Sequence, residues 1–307
     1  MTQAELVILF PGQGILQGSM FRGGTLRARY LQVLDEAAGA GDSIEGFVLA
    51  ASVAHYRELV AREGLPAAIV GHGFGELVAL VCAGAFTVSQ GAEIARQRAS
   101  VLDQYQSEPG SMLSVTTTSA LAERLVGLAG ASRTAIAAEN APTEIVISGT
   151  LPGIASLRDR TRAEGIADAP LKARWALHCQ QILPAAVELR KRLIGFSSRP
   201  LRVPVFSPTL RRYYRPTDDL AESLARQLIL RVMFADAVRS LVADGARRFV
   251  ECGPLHGLAR SVHEIRAEPP ADHDDRGMAR SAAGPRRRDV TAVARDEAPA
   301  LAAAMAG

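Results

Sequence analysis

One stretch, AAIVGHGFGELVALVCAGA at residues 67–85, constrains the fold more than any other part of the chain. An apolar run that reads as a strand passes through Gly71-His72-Gly73-Phe74-Gly75 straight into an apolar helical pattern. Glycines flanking the tip of such a turn let strand and helix approach where any side chain would collide with a neighbour. This is the framework of a nucleophile elbow, G-x-S-x-G, in which a serine sits at the strained tip. Here the tip is Gly73. Glycine takes the elbow's backbone angles without strain, so Gly73 is compatible with the shape and incompatible with the chemistry. Taken alone, with no nucleophile present, the segment reads better as a glycine-rich turn of the kind α/β folds contain in abundance, and its context decides against that.

The surroundings extend the pattern. Leu6 to Phe10 and Ala67 to Val70 read as strands, and helical patterns run from Ala51 to Glu63, Glu76 to Ala85 and Gly91 to Tyr105. Such alternation predicts a parallel α/β sheet. From Ser111 the order becomes strand (Met112 to Val115), helix (Ala120 to Leu128), two strands (Thr134 to Ala138, Glu144 to Ser148), helix (Pro152 to Glu164) and strand (Ala167 to Lys172). This βαββαβ order predicts a ferredoxin-like insert. The first domain resumes with helix Leu183 to Leu193, strand Val203 to Phe206, helices Asp218 to Leu230 and Ala235 to Ala243, and strand Arg248 to Glu251. The expected division is therefore 1–110 with 172–265 as the large subdomain and 111–171 as the small one. From Arg266 onward the only large aliphatics are Val290, Val293 and Leu301, and seven arginines face seven acids. Residues 266–307 are thus expected to form a disordered tail, since such a stretch buries too little surface to offset its ordering entropy.

Composition removes several function classes. No apolar run approaches the roughly 18 residues of a membrane span, and mean hydropathy is only +0.09. With no basic leader ahead of the first strand, the cytoplasm is the expected compartment. Cys82, Cys179 and Cys252 are widely spaced and form no CxxC pair, so neither a disulfide framework nor a metal site is expected. The net charge of +3 comes from arginines scattered among 32 acids, and aromatics are 5% of the chain. That pattern lacks the basic stripe of a nucleic-acid binder.

Several separated motifs resemble one family, the malonyl-CoA:acyl-carrier-protein transacylases and the acyltransferase domains of polyketide synthases. LFPGQG (Leu9 to Gly14) resembles its N-terminal loop, and VGHGFGE (Val70 to Glu76) resembles its G-H-S-x-G-E elbow, serine excepted. IARQRASVLDQ resembles the helix carrying its carboxylate-binding arginine, and AAENAPTEIVISG the N-x-P strand pair of its small subdomain. WALHCQQILPA resembles the segment holding its catalytic histidine, while ARQLILRVMFADAV and FVECGPLHGL match its closing segments. The resemblance spans about residues 6 to 265. It implies an α/β-hydrolase-like large subdomain with a parallel sheet and an inserted ferredoxin-like small subdomain.

The resemblance also implies roles. A family serine takes an acyl group from coenzyme A and passes it to the phosphopantetheine thiol of an acyl carrier protein, so Gly73 stands at the nucleophile position. His178 matches the general base, since a neutral imidazole can accept a hydroxyl proton and return it to a thiolate. Gln227 matches the residue whose backbone carbonyl orients that histidine. Backbone N–H groups of Gln13 and Phe74 match the oxyanion hole. Arg98 matches the arginine that grips the free carboxylate of a malonyl group. Leu177 and Phe74 resemble malonyl rather than methylmalonyl selectors, and His72 and Asn140 are expected near the site. The implied substrates are a CoA thioester, malonyl-CoA or a relative, and a carrier protein's phosphopantetheine, with no bound cofactor. The stretch after Leu34 is shortened, leaving Glu45-Gly46 where the family has a Q-P pair.

Three readings follow. The first is an acyltransferase of fatty-acid or polyketide biosynthesis with its nucleophile replaced, so that acylation is impaired or absent. The second is a carrier-protein-binding module without catalysis. The third takes Gly12, Gly14 and Gly18 after the first strand, with Asp35 as a ribose-binding acid, for the dinucleotide fingerprint of an NADP-dependent oxidoreductase. Pro11 interrupts that fingerprint, and it accounts for neither the elbow nor His178.

Overall fold

The computed structural model describes residues 5–12, 24–37, 43–106, 108–130, 133–254 and 257–268. All but Glu268 belong to one compact unit that closes at Ala267. Its centre is a sheet ordered β10-β1-β2-β7-β8, formed by β1 (Leu6–Phe10), β2 (Ala68–Gly71), β7 (Val205–Ser207), β8 (Arg212–Tyr213) and β10 (Arg248–Glu251). The first four in spatial order are parallel, and β8 closes one edge antiparallel. Every residue of β1, β2 and β7 is buried, as expected of strands covered on both faces by crossover helices. The helices of this subdomain are α1 (Gly24–Glu36), α2 (Ile44–Glu63), α3 (Gly75–Cys82), α4 (Val88–Tyr105), α7 (Leu183–Leu193), α8 (Leu220–Arg226), α9 (Phe234–Ala243) and α10 (Leu258–Ala267).

The inserted subdomain carries β3 (Gly110–Thr116), α5 (Ser119–Ala129), β4 (Thr134–Ala141), β5 (Glu144–Thr150), α6 (Leu151–Ala163) and β6 (Asp168–Leu171). Its sheet runs β6-β3-β5-β4 with antiparallel pairing throughout. Threonines at the N-caps of α5 and α6 accept from Leu121 and Gly153 and fix where each helix begins. The alternation of β5 assigns its faces. Ile145 and Ile147 join Leu113, Leu125 and Leu157 in a core under α5 and α6. Val146 faces the other way, into a cluster shared with Val7, Leu9 and Val70 of the large sheet and with Phe234 and Val238 of α9. One continuous apolar layer therefore joins the two sheets.

A fifth strand, β9 (Val232–Met233), comes from the returning chain and pairs parallel with β4, Val232 opposite Ala138. Beside it Arg231 bonds Glu139 at 2.6 Å and Ser119 Oγ at 2.8 Å. The returning chain is thus fastened to the insert just past α8, and that junction positions the site. The helix expected over Asp218 to Leu230 ends at Arg226, because the chain must turn to feed β9. The expected tail boundary also moves: Arg266 and Ala267 belong to α10, Ile265 is buried, and Arg266 Nη1 donates to the Arg247 carbonyl. Residues 269–307 lie outside the described residues.

Candidate active site

The turn between β2 and α3 has the elbow geometry its glycines imply. Gly73 sits at φ +55°, the left-handed region, and hydrogen bonds from Gly75 N to His72 O and from Glu76 N to Gly73 O close the turn at 2.9 and 3.0 Å. A Cβ on Gly75 would fall 2.2 Å from the Phe10 carbonyl oxygen, and one on Gly71 would fall 2.2 Å from the Gly75 backbone. The flanking glycines are therefore required by packing. The tip is different: apart from its chain neighbours, a Cβ on Gly73 would meet nothing closer than His178 Nε2 at 3.4 Å and Gln227 Nε2 at 3.8 Å.

His178 is buried and lies at φ +61°, a costly conformation for a residue with a side chain. Two bonds hold it there. Its backbone N–H donates to the Leu228 carbonyl at 2.6 Å, and Nδ1 lies 2.9 Å from the Leu230 carbonyl. A carbonyl only accepts, so Nδ1 carries the proton and the neutral ring turns the lone pair of Nε2 toward the tip of the elbow. Burial first, then the charges of His72 and Arg98, push the His178 pKa down to about 3, partly opposed by the carbonyls of Leu230 and Gln227. His178 is accordingly neutral across the ordinary pH range. The Leu230 carbonyl thus joins the expected Gln227 carbonyl in facing the His178 ring.

The segment before His178 is tied to α4. Trp175 Nε1 and Arg174 Nη2 bond the two oxygens of Asp103 at 2.9 and 2.8 Å, and Ala176 N–H donates to Gln106 Oε1 at 3.3 Å. The same helix carries Arg98, which is buried with its guanidinium carbon 5.5 Å from the centre of the Phe74 ring. Burial lowers the Arg98 pKa to about 10 while the nearby charge of Glu45 favours the cation. Arg98 thus remains charged at neutral pH. Glu45 is itself buried, in the first turn of α2.

His72 Nε2 donates to Asn140 Oδ1 at 2.8 Å, and Asn140 Nδ2 donates to Glu144 Oε1 at 3.2 Å, which links the elbow to the insert. Leu177 packs against the shared apolar layer. The Phe74 backbone opens α3, whereas Gln13 lies outside the described residues. Gly73, Phe74, Arg98, His178 and Gln227 are thus gathered at one place. Gln227 is buried, and its Nε2 finds no hydrogen-bond partner among the described residues. Among those residues, no three His, Cys, Asp or Glu side chains form a metal-binding group, and no helix is long and apolar enough to cross a membrane.

Residues 32–304 match the family described as acyl transferase domain. The chain belongs to that family. Among relatives of this acyltransferase-family chain, the polyketide biosynthesis malonyl CoA-acyl carrier protein transacylase BaeC of Bacillus velezensis is 31% identical over 208 residues, covering 66% of this chain and 70% of that protein. The erythronolide synthase EryA2 of Saccharopolyspora erythraea is 30% identical over 285 residues, covering 85% of this chain. This chain spans only 8% of that synthase's length. The malonyl-CoA:acyl carrier protein transacylase of Xanthomonas oryzae pv. oryzae superposes with a TM-score of 0.79 at 25% identity, covering 86% of this chain and 92% of that one. These likenesses agree with the observed architecture of a large sheet-rich core and a smaller inserted subdomain.

Two participants have roles that the sequence does not assign. The Leu230 carbonyl is a backbone acceptor, which any residue offers. Glu45 shows in the sequence as a departure from the family's pattern, but its proximity to Arg98 follows only from how α2 crosses α4.

Proposed function

We propose that this acyltransferase-family chain serves fatty-acid or polyketide assembly, that its site binds a malonyl-type CoA thioester and the phosphopantetheine arm of an acyl carrier protein, and that Gly73 occupies the position of the missing nucleophile. The supporting observation is the 3.4 Å between a Cβ on Gly73 and His178 Nε2. A serine there would place its hydroxyl within reach of a neutral imidazole acceptor. Arg98, charged and beside the elbow, suits the free carboxylate of a malonyl group. The Phe74 N–H at the start of α3 suits the developing oxyanion. Without the hydroxyl, no covalent acyl-enzyme forms, and loss of the nucleophile alone costs a serine hydrolase about six orders of magnitude in kcat.

Intact mass spectrometry after incubation with malonyl-CoA tests this reading. The chain as it stands keeps its mass, and Gly73→Ser gains one malonyl group. A Gly73→Ser protein that folds, binds malonyl-CoA and never gains it sinks the reading. The absent hydroxyl also supports a second reading, a carrier-protein-binding module without chemistry, which predicts capture of carrier protein with no turnover of any thioester.

A further inference from the structure

Gln227 has a buried amide donor without a partner among the described residues, close to the same point as the unprotonated nitrogen of His178. Buried amide donors are almost always paired, because an unpaired one has given up its water for nothing. A Cβ on Gly73 would lie 3.4 Å from His178 Nε2 and 3.8 Å from Gln227 Nε2. Both side-chain nitrogens therefore border the space in front of the elbow tip. The pair is also complementary: Gln227 Nε2 donates, and His178 Nε2, with Nδ1 committed to Leu230, accepts.

We propose that a water molecule occupies this point and that the chain hydrolyses acyl thioesters by direct attack, with no acyl-enzyme. The proposal rests on the reading of Gly73 as the nucleophile position. Water accepts a hydrogen bond from Gln227 Nε2 and gives one proton to His178 Nε2 as its oxygen bonds to the thioester carbonyl carbon. The tetrahedral oxyanion faces the N–H at the start of α3. Its collapse breaks the carbon–sulfur bond, and the imidazolium returns the proton to the departing thiolate. The products are the free acid and the thiol, with water the only co-reactant. Oxygen suits the point better than the incoming pantetheine sulfur, because sulfur is the weaker acceptor for the Gln227 amide. His178's depressed pKa makes it a weak base, so the reaction is slow.

Release of free CoA thiol from malonyl-CoA and acetyl-CoA, without carrier protein, tests the proposal, with protein mass followed in the same samples. The expected result is CoA release above the buffer rate with protein mass unchanged. His178→Ala lowers that rate by about 10²- to 10⁴-fold, the usual contribution of a general base. Gln227→Leu lowers it about tenfold, the equivalent of one hydrogen bond of about 1.4 kcal/mol. Gln227→Glu, which keeps the shape and has no amide donor, gives the second measurement if the leucine protein does not fold. Release at the buffer rate overturns the proposal, as does release that needs an added pantetheine thiol. An adduct on Gly73→Ser together with an inert parent chain overturns hydrolysis and spares the assignment of Gly73. An adduct on neither with an inert parent removes both, and an adduct on the parent chain overturns the direct attack.

Discussion

The Tyr214 hydroxyl donates to Glu76 Oε1 across 2.7 Å at a site where both side chains are buried. Glu76 is the first side chain beyond the elbow glycines, and its other oxygen accepts from Thr209 Oγ1 at 3.3 Å, which in turn contacts Ser207 Oγ at 3.0 Å. Three hydroxyls, of Ser207 at the end of β7 and of Thr209 and Tyr214 beyond it, thereby clamp the first turn of α3. Even so, burial outweighs these bonds and raises the Glu76 pKa to about 7.

That shift sets the sign of a stability effect. Between the ordinary carboxylate value of 4.5 and about 7 the folded chain holds a proton that the unfolded chain releases. Stability therefore falls as pH rises through this window, and the penalty is complete above it. Tyr214, whose own pKa is raised far by burial and by Glu76, stays neutral throughout. Glu76→Gln keeps an acceptor for Tyr214 and removes the titration. Urea unfolding should show the variant gaining on the parent between pH 5 and pH 8 by at least about 1 kcal/mol, one pKa unit being worth about 1.4 kcal/mol. A difference that does not vary with pH means Glu76 is ionised throughout.

Periodic elements were readable from the sequence, and short or backbone-made ones were not. The strands Leu6–Phe10 and Arg248–Glu251 and the helix Leu183–Leu193 have the bounds their patterns predict. β9 has two residues, too few to show a period, yet it fastens the segment that orients His178. α1 was not expected because little in it is buried besides Val33; its faces carry arginine and glutamine. The flanking glycines Gly71 and Gly75 announced the elbow, since each removes a side chain the packing forbids. Leu230 announced nothing, because its carbonyl does the work.

The elbow's dependence on glycine is measurable at positions with no chemical role. Gly75→Ala forces a Cβ to 2.2 Å from the backbone oxygen of Phe10 in the buried strand β1. Backbone cannot yield as a flexible side chain can, so a loss above about 3 kcal/mol is expected. Gly127, inside α5, has nothing within 4 Å of an added Cβ. Gly127→Ala should raise stability by about 0.5–1 kcal/mol through helix propensity. Denaturant midpoints read both; a Gly75→Ala protein as stable as the parent would mean the elbow is not packed as described.

On the proposed function, Arg98 and Glu45 together would set acyl selectivity. Arg98 is buried, stays cationic and lies against Phe74, so a thioester bearing a free carboxylate gives it a bidentate partner that an acetyl group cannot. Glu45, buried with its charge felt at Arg98, should compete for the same cation and repel an incoming carboxylate. The chain should therefore bind malonyl-CoA more tightly than acetyl-CoA by calorimetry, with Arg98→Ala bringing the two affinities together. Glu45→Gln should move the ratio the other way, widening the malonyl preference about tenfold, or about 1.4 kcal/mol. The same change removes a charge that favours the buried Arg98 cation, so the melting temperature should drop as the preference grows. A Glu45→Gln protein with an unchanged ratio would show that Glu45 does not compete for Arg98 in the bound state. If Arg98→Ala also kept the preference, the carboxylate would have to be held elsewhere in the site.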